Sequence, residues 1–167
     1  GRQAEIVNVT RKIKTTGTSA TLSACVWAKD GSIVNCDQTE FTLLGSLTAG
    51  KRGVQCDNTV VLGALPVFTD CSMHDYNSAV SQAIGVYLGK IGAGAIARRC
   101  DFMNSGWMGV YMQYIPVAAG TLIDDCWFIG AIEQASSTGI YFNAGASATN
   151  NRIAGYAAST ATKGVSR

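Results

Sequence analysis

Gly109-Val110-Tyr111-Met112 decides the fold, because its pattern of glycine, apolar residue, tyrosine and apolar residue recurs along the chain. Gly85-Val86-Tyr87-Leu88 precedes it and Gly139-Ile140-Tyr141-Phe142 follows it, with weaker copies at Gly53-Val54-Gln55-Cys56 and Gly164-Val165-Ser166-Arg167. Successive glycines of the five copies are separated by 32, 24, 30 and 25 residues. Recurrence at about 20 to 50 residues is typical of stacked repeat proteins. The unequal intervals predict strands in register, joined by loops of different length.

A second pattern falls once in each interval. It is an apolar residue followed three positions later by cysteine: Ile33-x-x-Cys36, Phe68-x-x-Cys71, Ala97-x-x-Cys100 and Ile123-x-x-Cys126. The residues before these cysteines are Asn35, Asp70, Arg99 and Asp125. Asparagine and aspartate tolerate a left-handed bend, which arginine fits poorly. Met73, Phe102 and Phe128 lie two residues after a cysteine, so strand geometry predicts that they share its face.

Each interval therefore predicts strand, loop, strand, bend and short strand, which is one coil of a parallel β-solenoid. We expect an all-β domain of about five coils over residues 21–167. Residues 1–20 are expected to be an N-terminal entry or capping segment, that is, one or two edge strands or a segment that partly caps the stack. The composition agrees with a narrow stacked core, since only 14% of the residues are charged and the chain has 19 glycines and 2 prolines.

Composition also bears on partners and cofactors. The net charge is +2 and no basic run exceeds two residues, which argues against a nucleic-acid interface. No apolar run reaches the length that spans a membrane. Neither a cofactor fingerprint nor the Cys-x2-Cys spacing of a metal site occurs. The six cysteines are interpreted as reduced, buried side chains, which suits folding in a cytoplasm.

Two sets of side chains are candidates for a functional site. Alternation predicts that Tyr87, Tyr111 and Tyr141 form an outward ladder on successive coils. Such a ladder suits sugar rings or a subunit interface, and it can also simply stabilise the sheet. The only histidine, His74, lies in a long loop near Asp70 and is interpreted as an inert surface residue.

Carboxylates give the second set. Asp70 and Asp125 occupy equivalent corners two coils apart, which implies roughly 9–10 Å between backbones. This approaches the spacing of inverting glycosidases, and Arg99 is expected between the two. Asp101 is expected beside Trp127 of the next coil. Asp70, Asp101 and Asp125 are therefore the predicted catalytic residues, although aspartate at a bend also has an ordinary structural role.

The coils, especially Ile123-Asp124-Asp125-Cys126-Trp127-Phe128 followed by Gly139-Ile140-Tyr141, resemble right-handed parallel β-helix proteins of the pectate-lyase-like class. Within that class the chain looks most like a bacteriophage tailspike or tail-fibre domain. The resemblance covers about residues 21–165 and transfers no catalytic motif. It implies a homotrimer in the virion, folded in the bacterial host cytoplasm, that binds a bacterial surface polysaccharide and often cleaves it. Tyr87, Tyr111, Tyr141 and Trp127 are then the expected glycan contacts.

Two alternatives stay open. A purely structural trimeric stalk would pack the tyrosine ladder against partner chains. A secreted polysaccharide lyase or adhesin of the same fold would be free-standing. An exposed ladder beside Asp70, Asp101 and Asp125 would favour the glycan-binding tailspike over both.

Overall fold

The computed structural model describes residues 4–6, 14–16, 25–28, 34–45, 52–57, 66–76, 84–89, 96–104, 108–112, 121–130, 138–142, 146–155 and 163–166. These residues contain strands and no helix. The strands in chain order are β1 (Ala4–Ile6), β2 (Lys14–Thr16), β3 (Val26–Ala28), β4 (Val34–Asp37), β5 (Glu40–Thr42), β6 (Gly53–Asp57), β7 (Val67–Thr69), β8 (Ser72–His74), β9 (Ile84–Gly89), β10 (Ile96–Arg98), β11 (Asp101–Met103), β12 (Met108–Met112), β13 (Thr121–Asp124), β14 (Trp127–Ile129), β15 (Thr138–Phe142), β16 (Ala146–Thr149), β17 (Arg152–Ala154) and β18 (Lys163–Ser166).

Every third strand belongs to the same sheet, so the chain winds through three parallel sheets in turn. Sheet A has the order β1-β4-β7-β10-β13-β16, sheet B runs from β2 to β17, and sheet C runs from β3 to β18. The predicted parallel β-helix is confirmed. Each sheet has six strands, because β1 and β2 in the N-terminal segment already pair in parallel with β4 and β5. The domain boundary at residue 20 stays a prediction.

The recurring tyrosine motif forms sheet C. Tyr111 lies opposite Tyr87 on one side and Tyr141 on the other, and the weaker copies at β6 and β18 pair in the same register. Val54, Val86, Val110 and Ile140 are buried in one apolar core with Leu88 and Met112, as predicted. The spacing of the motif therefore set the register of this sheet correctly.

The glycine of the motif has a packing reason at Gly109. A β-carbon there would lie 2.5 Å from Cδ1 of Phe128 and 2.7 Å from the carbonyl oxygen of Gly139. Neither neighbour can yield easily, since one is a fully buried ring and the other is backbone. The absence of a side chain at Gly109 thus lets sheet C approach the aromatic core residues of sheet B.

The corner between sheets A and B carries the predicted left-handed residues. Asp70, Arg99 and Asp125 have φ angles of 53°, 51° and 51°, and Asn150 continues the series at 56°. Arginine therefore adopts the corner conformation that its side chain was expected to disfavour. In the first copy of the pattern, however, the left-handed residue is Gln38, with φ 47°, and not Asn35.

The cysteines after these corners are wholly buried and form a ladder. The thiols of Cys71, Cys100 and Cys126 each lie 3.3 Å from the carbonyl oxygen two residues earlier, to which they donate. Cys36 does not belong to this ladder, because it lies opposite Phe68, three residues out of the predicted register. Thr39 takes the equivalent place, and its hydroxyl donates to the Asp37 carbonyl at 3.0 Å. A threonine can replace cysteine here since both are small side chains that donate a hydrogen bond.

The core beneath sheet B is a column of large side chains. Met73, Phe102 and Phe128 lie opposite one another and are fully buried, as predicted from their spacing after the cysteines. The rings of Phe102 and Phe128 stack with 4.7 Å between centroids and 2° between planes. This column and the cysteine ladder together fill the interior at the corner.

All six cysteines are free, as the sequence interpretation proposed. Burial raises the pKa of Cys36 and of Cys56 to about 12. Hydrogen bonds with Cys126 and Cys71 hold the pKa of Cys100 well above its ordinary value. The thiols of Cys36, Cys56 and Cys100 therefore stay protonated near neutral pH.

Candidate functional site

The corner after sheet A carries a row of charged side chains. Arg99 donates from Nε and Nη2 to the two carboxylate oxygens of Asp70, both at 2.8 Å. Arg99 lies on the coil between Asp70 and Asp125, as predicted, because the backbone N–H groups of Asp70 and Arg99 donate to Arg98 and Asp124 of successive coils. A two-point arginine pair holds Asp70 as an anion and fixes its position. The predicted catalytic roles of Asp70 and Asp125 stay predictions.

The neighbouring carboxylate, Asp124, completes this corner. Its Oδ1 accepts hydrogen bonds from the Thr149 hydroxyl at 2.7 Å and from Asn150 Nδ2 at 3.0 Å. These bonds lower the pKa of Asp124, with a smaller contribution from Arg98, whose Nε lies 3.6 Å away. The corner is therefore a network of ionised side chains that ties successive coils together.

The outer face of sheet B brings together the second predicted pair. Asp101 lies directly opposite Trp127 of the next coil, as the sequence indicated. The Trp127 side chain is 44% exposed, although the Arg152 guanidinium lies 4.7 Å from its ring centroid. Asp101 is half-buried, and within the described ranges its carboxylate makes no hydrogen bond or ion pair. This face thus presents an aromatic ring flanked by one carboxylate and one cation.

His74 is not the isolated surface residue that the sequence indicated. Its Nε2 lies 3.0 Å from Oε1 of Glu40, and its Nδ1 lies 2.8 Å from Oδ2 of Asp75. Glu40 is 34 residues away in sequence but on the preceding coil, where β5 pairs with β8. The signal that could have found Glu40 was Gln38-Thr39-Glu40, which repeats the corner with threonine in place of cysteine.

Apolar side chains complete the outer face of sheet B. Met103 lies between His74 and Ile129 on adjoining strands, and Met103 and Ile129 are 37% and 38% exposed. We call six of the outward side chains of this face the sheet B surface: Glu40, His74, Asp101, Met103, Trp127 and Ile129. Mixed aromatic, apolar and hydrogen-bonding character on a rigid sheet is typical of a recognition surface.

The tyrosine ladder is present but lies on a different sheet. Tyr87 and Tyr111 have ring centroids 5.5 Å apart, and Tyr111 and Tyr141 are 4.9 Å apart. The ladder points away from the main core, yet Tyr87 is only 4% exposed and packs with Ile84 and Met108 in a second apolar cluster. The predicted outward direction thus holds, but Tyr87 is covered from solvent. The ladder on sheet C and the three aspartates on or beside sheet B do not share one surface.

Neither a metal centre nor a membrane segment emerges from the parts of the chain that the structure describes. No cluster of three or more His, Cys, Asp or Glu side chains there has the geometry to hold a metal ion. Those parts likewise contain no helix long and apolar enough to cross a bilayer. Comparison of the chain with protein-family models, with curated proteins and with solved structures gives no match.

Proposed function

We propose that this chain is a β-helix domain of a bacteriophage tailspike or tail fibre, and that its sheet B surface binds a bacterial surface polysaccharide. The observation that supports the proposal most is Trp127, an exposed ring on a rigid sheet beside the Asp101 carboxylate. Sugar rings pack their C–H faces on aromatic rings and donate hydroxyl hydrogens to carboxylates. The phage assignment is supported by the resemblance of the coils to tailspike β-helices.

The rigidity of this surface favours an extended glycan. Successive outward positions repeat at about 4.8 Å along the stack, which is the spacing between neighbouring hydrogen-bonded strands. Asp101, His74 and Glu40 line the same face, so hydroxyl groups along a polysaccharide find acceptors on adjoining coils. A preorganised row of contacts lowers the ordering cost of binding, which suits recognition of a long flexible polymer.

Cleavage of the bound polysaccharide is the second part of the proposal. A general acid must be protonated near neutral pH, and the arginine pair works against this for Asp70. Asp101 has no such partner among the described residues, so it is the better candidate for acid or base chemistry. An Asp101→Asn variant that keeps glycan affinity but releases no new reducing or unsaturated ends would support this role.

Binding is tested on an array of bacterial O-antigen and capsular polysaccharides. Trp127→Ala is expected to weaken the best-bound glycan about tenfold, or about 1.4 kcal/mol. Trp27→Ala is the matched control for glycans without acidic sugars, because Trp27 is similarly exposed, at 49%, but lies on sheet C. Binding to no polysaccharide, or equal loss in the two variants, would contradict the proposal.

A structural trimeric stalk is the alternative that one observation favours. Trp127, Met103 and Ile129 form an exposed apolar row, which partner chains would bury in a trimer. Light scattering separates the two functions. A trimeric mass that Trp127→Ala reduces to a monomer favours the stalk, whereas an unchanged mass with reduced glycan affinity favours polysaccharide binding.

A further inference from the structure

The outer face of sheet C contains a cation stacked on the tyrosine ladder. Cζ of Arg52 lies 4.1 Å from the centroid of the buried Tyr87 ring. Tyr111 and Tyr141 continue the ladder from Tyr87, and both are half-buried. The ladder is therefore closed at the Arg52 end and more open at Tyr141. We call Arg52, Tyr87, Tyr111 and Tyr141 the sheet C pocket.

The backbone fixes Arg52 in this position. Its carbonyl oxygen accepts a 2.7 Å hydrogen bond from the Ile84 N–H. The next residue, Gly53, has φ +110°, and a β-carbon there would meet the Ile84 carbonyl oxygen and lie 2.5 Å from Cε2 of Tyr76. Only glycine fits this turn without strain. The fold therefore sets the direction in which the Arg52 side chain leaves the backbone.

Two of the three donor nitrogens of the Arg52 guanidinium lack acceptors among the described residues. Its Nε and Nη1 atoms are buried and make no hydrogen bond. Two other described arginines lie beside carboxylates: Arg99 pairs with Asp70, and Nε of Arg98, which also makes no hydrogen bond, lies 3.6 Å from Asp124. No carboxylate among the described residues pairs with Arg52. Two buried donors without acceptors on a half-buried cation are costly, and an anion that accepts from the guanidinium lowers that cost.

The positive charge of Arg52 also affects the second tyrosine of the ladder, Tyr111. Burial raises the pKa of Tyr111, Tyr141 raises it further, and the positive charge of Arg52 opposes the rise. The guanidinium thus acts on the second tyrosine as well as stacking on the first. An anionic group bound beside Arg52 would lie close enough to the Tyr111 side chain to interact with it electrostatically. The Tyr141 ring is the next ring along the ladder.

We propose that the sheet C pocket binds the carboxylate of an acidic sugar, with Arg52 as the anion contact and the half-buried tyrosines as the platform for the ring. Arginine is suited to carboxylates because its rigid, always charged group donates in fixed directions. Aromatic rings with hydroxyl groups suit a sugar that is apolar on one face and polar at its edges. The site lies on another sheet from Trp127, so the inference holds whether or not the sheet B surface binds glycan.

The test follows the Arg52 Nε–H resonance by NMR of the whole chain labelled with nitrogen-15, assigned through bonds so that no variant is needed. Galacturonate and glucuronate are titrated, with galactose and acetate as the neutral sugar and the plain anion. We expect a saturable shift with a uronate at a Kd on the order of 1 mM. Acetate should bind at least several-fold more weakly, and galactose should give no shift at Arg52.

Variants assign the contacts. Arg52→Lys should weaken uronate binding about tenfold, while Arg99→Lys, at a paired exposed arginine, should leave it unchanged. Tyr141→Leu should bring the affinity for uronate down to that for acetate. The proposal is overturned if neither uronate shifts the Arg52 resonance saturably, or if galactose shifts it equally. Equal affinities of uronate and acetate for the unmodified chain would overturn the sugar part and leave an anion site alone.

Discussion

The stacked pair Phe102 and Phe128 allows a quantitative test of how neighbouring coils stabilise each other. Both side chains are fully buried, and their parallel rings lie 4.7 Å apart. Replacing either by leucine keeps an apolar side chain and costs roughly 1 kcal/mol from imperfect packing. Each single variant also loses the ring contact, which is worth about 0.5–1.5 kcal/mol beyond area burial. The double variant loses that contact only once.

The loss in free energy of unfolding of the Phe102→Leu/Phe128→Leu double variant should therefore be about 1 kcal/mol smaller than the sum of the losses of the two single variants. Urea unfolding followed by circular dichroism and by tryptophan fluorescence gives the free energies of unfolding. The two signals must coincide, because a stacked repeat fold can unfold in stages.

Phe41 supplies the control. It is buried on the same side of sheet B but lies three strand steps from Phe128, through Met73 and Phe102. Three steps are about 14 Å. The losses in free energy of unfolding caused by Phe41→Leu and Phe128→Leu should therefore add within about 0.5 kcal/mol. The reasoning is refuted if the Phe102–Phe128 coupling is no larger than the Phe41–Phe128 coupling.

Three further outcomes follow from single residues. Gly53→Ala should lower the free energy of unfolding by about 2 kcal/mol or more, because φ is +110° and the β-carbon meets backbone; urea unfolding measures it. Native protein at pH 8 should take up one iodoacetamide group by mass spectrometry, at Cys25, since the other five cysteines are buried. Asp124→Asn should destabilise at pH 7 and lose its effect in acid, because the pKa of Asp124 is lowered by Thr149.

Each of these has a contradicting result. Unchanged stability of Gly53→Ala would show that the turn relaxes, and Gly31→Ala, outside the described residues, serves as a comparison for a general glycine effect. Rapid labelling of more than one cysteine would show that the buried thiols open to solvent. For Asp124, the stabilisation is present above the ordinary carboxyl pKa and is lost as pH falls through the lowered one. If Asp124→Asn is still less stable than the unmodified chain at pH 2, the charge of the Asp124 carboxylate is therefore excluded as the cause.

The sequence predicted side-chain positions correctly where the two-residue alternation along a strand alone decides them. A glycine, apolar, tyrosine, apolar pattern read with a two-residue period placed Val110 and Met112 in the core and Tyr111 opposite Tyr87. The same period placed Phe102 two residues after a buried cysteine. It failed at Cys36, because matching cysteine to cysteine hid the fact that Thr39 performs the same hydrogen bonding in the first copy.

The sequence by itself determined the stacking order, the register of sheet C and the corners at Asp70 and Asp125, since strand period and left-handed propensity are local properties of the chain. Only the tertiary structure decided which side chains share a surface. Glu40 meets His74, and Arg52 lies on Tyr87, across loops whose lengths do not reveal the coil alignment. It also buried Tyr87 on the side facing away from the main core, because alternation assigns a face of a strand and the packing of the whole chain decides whether that face meets solvent.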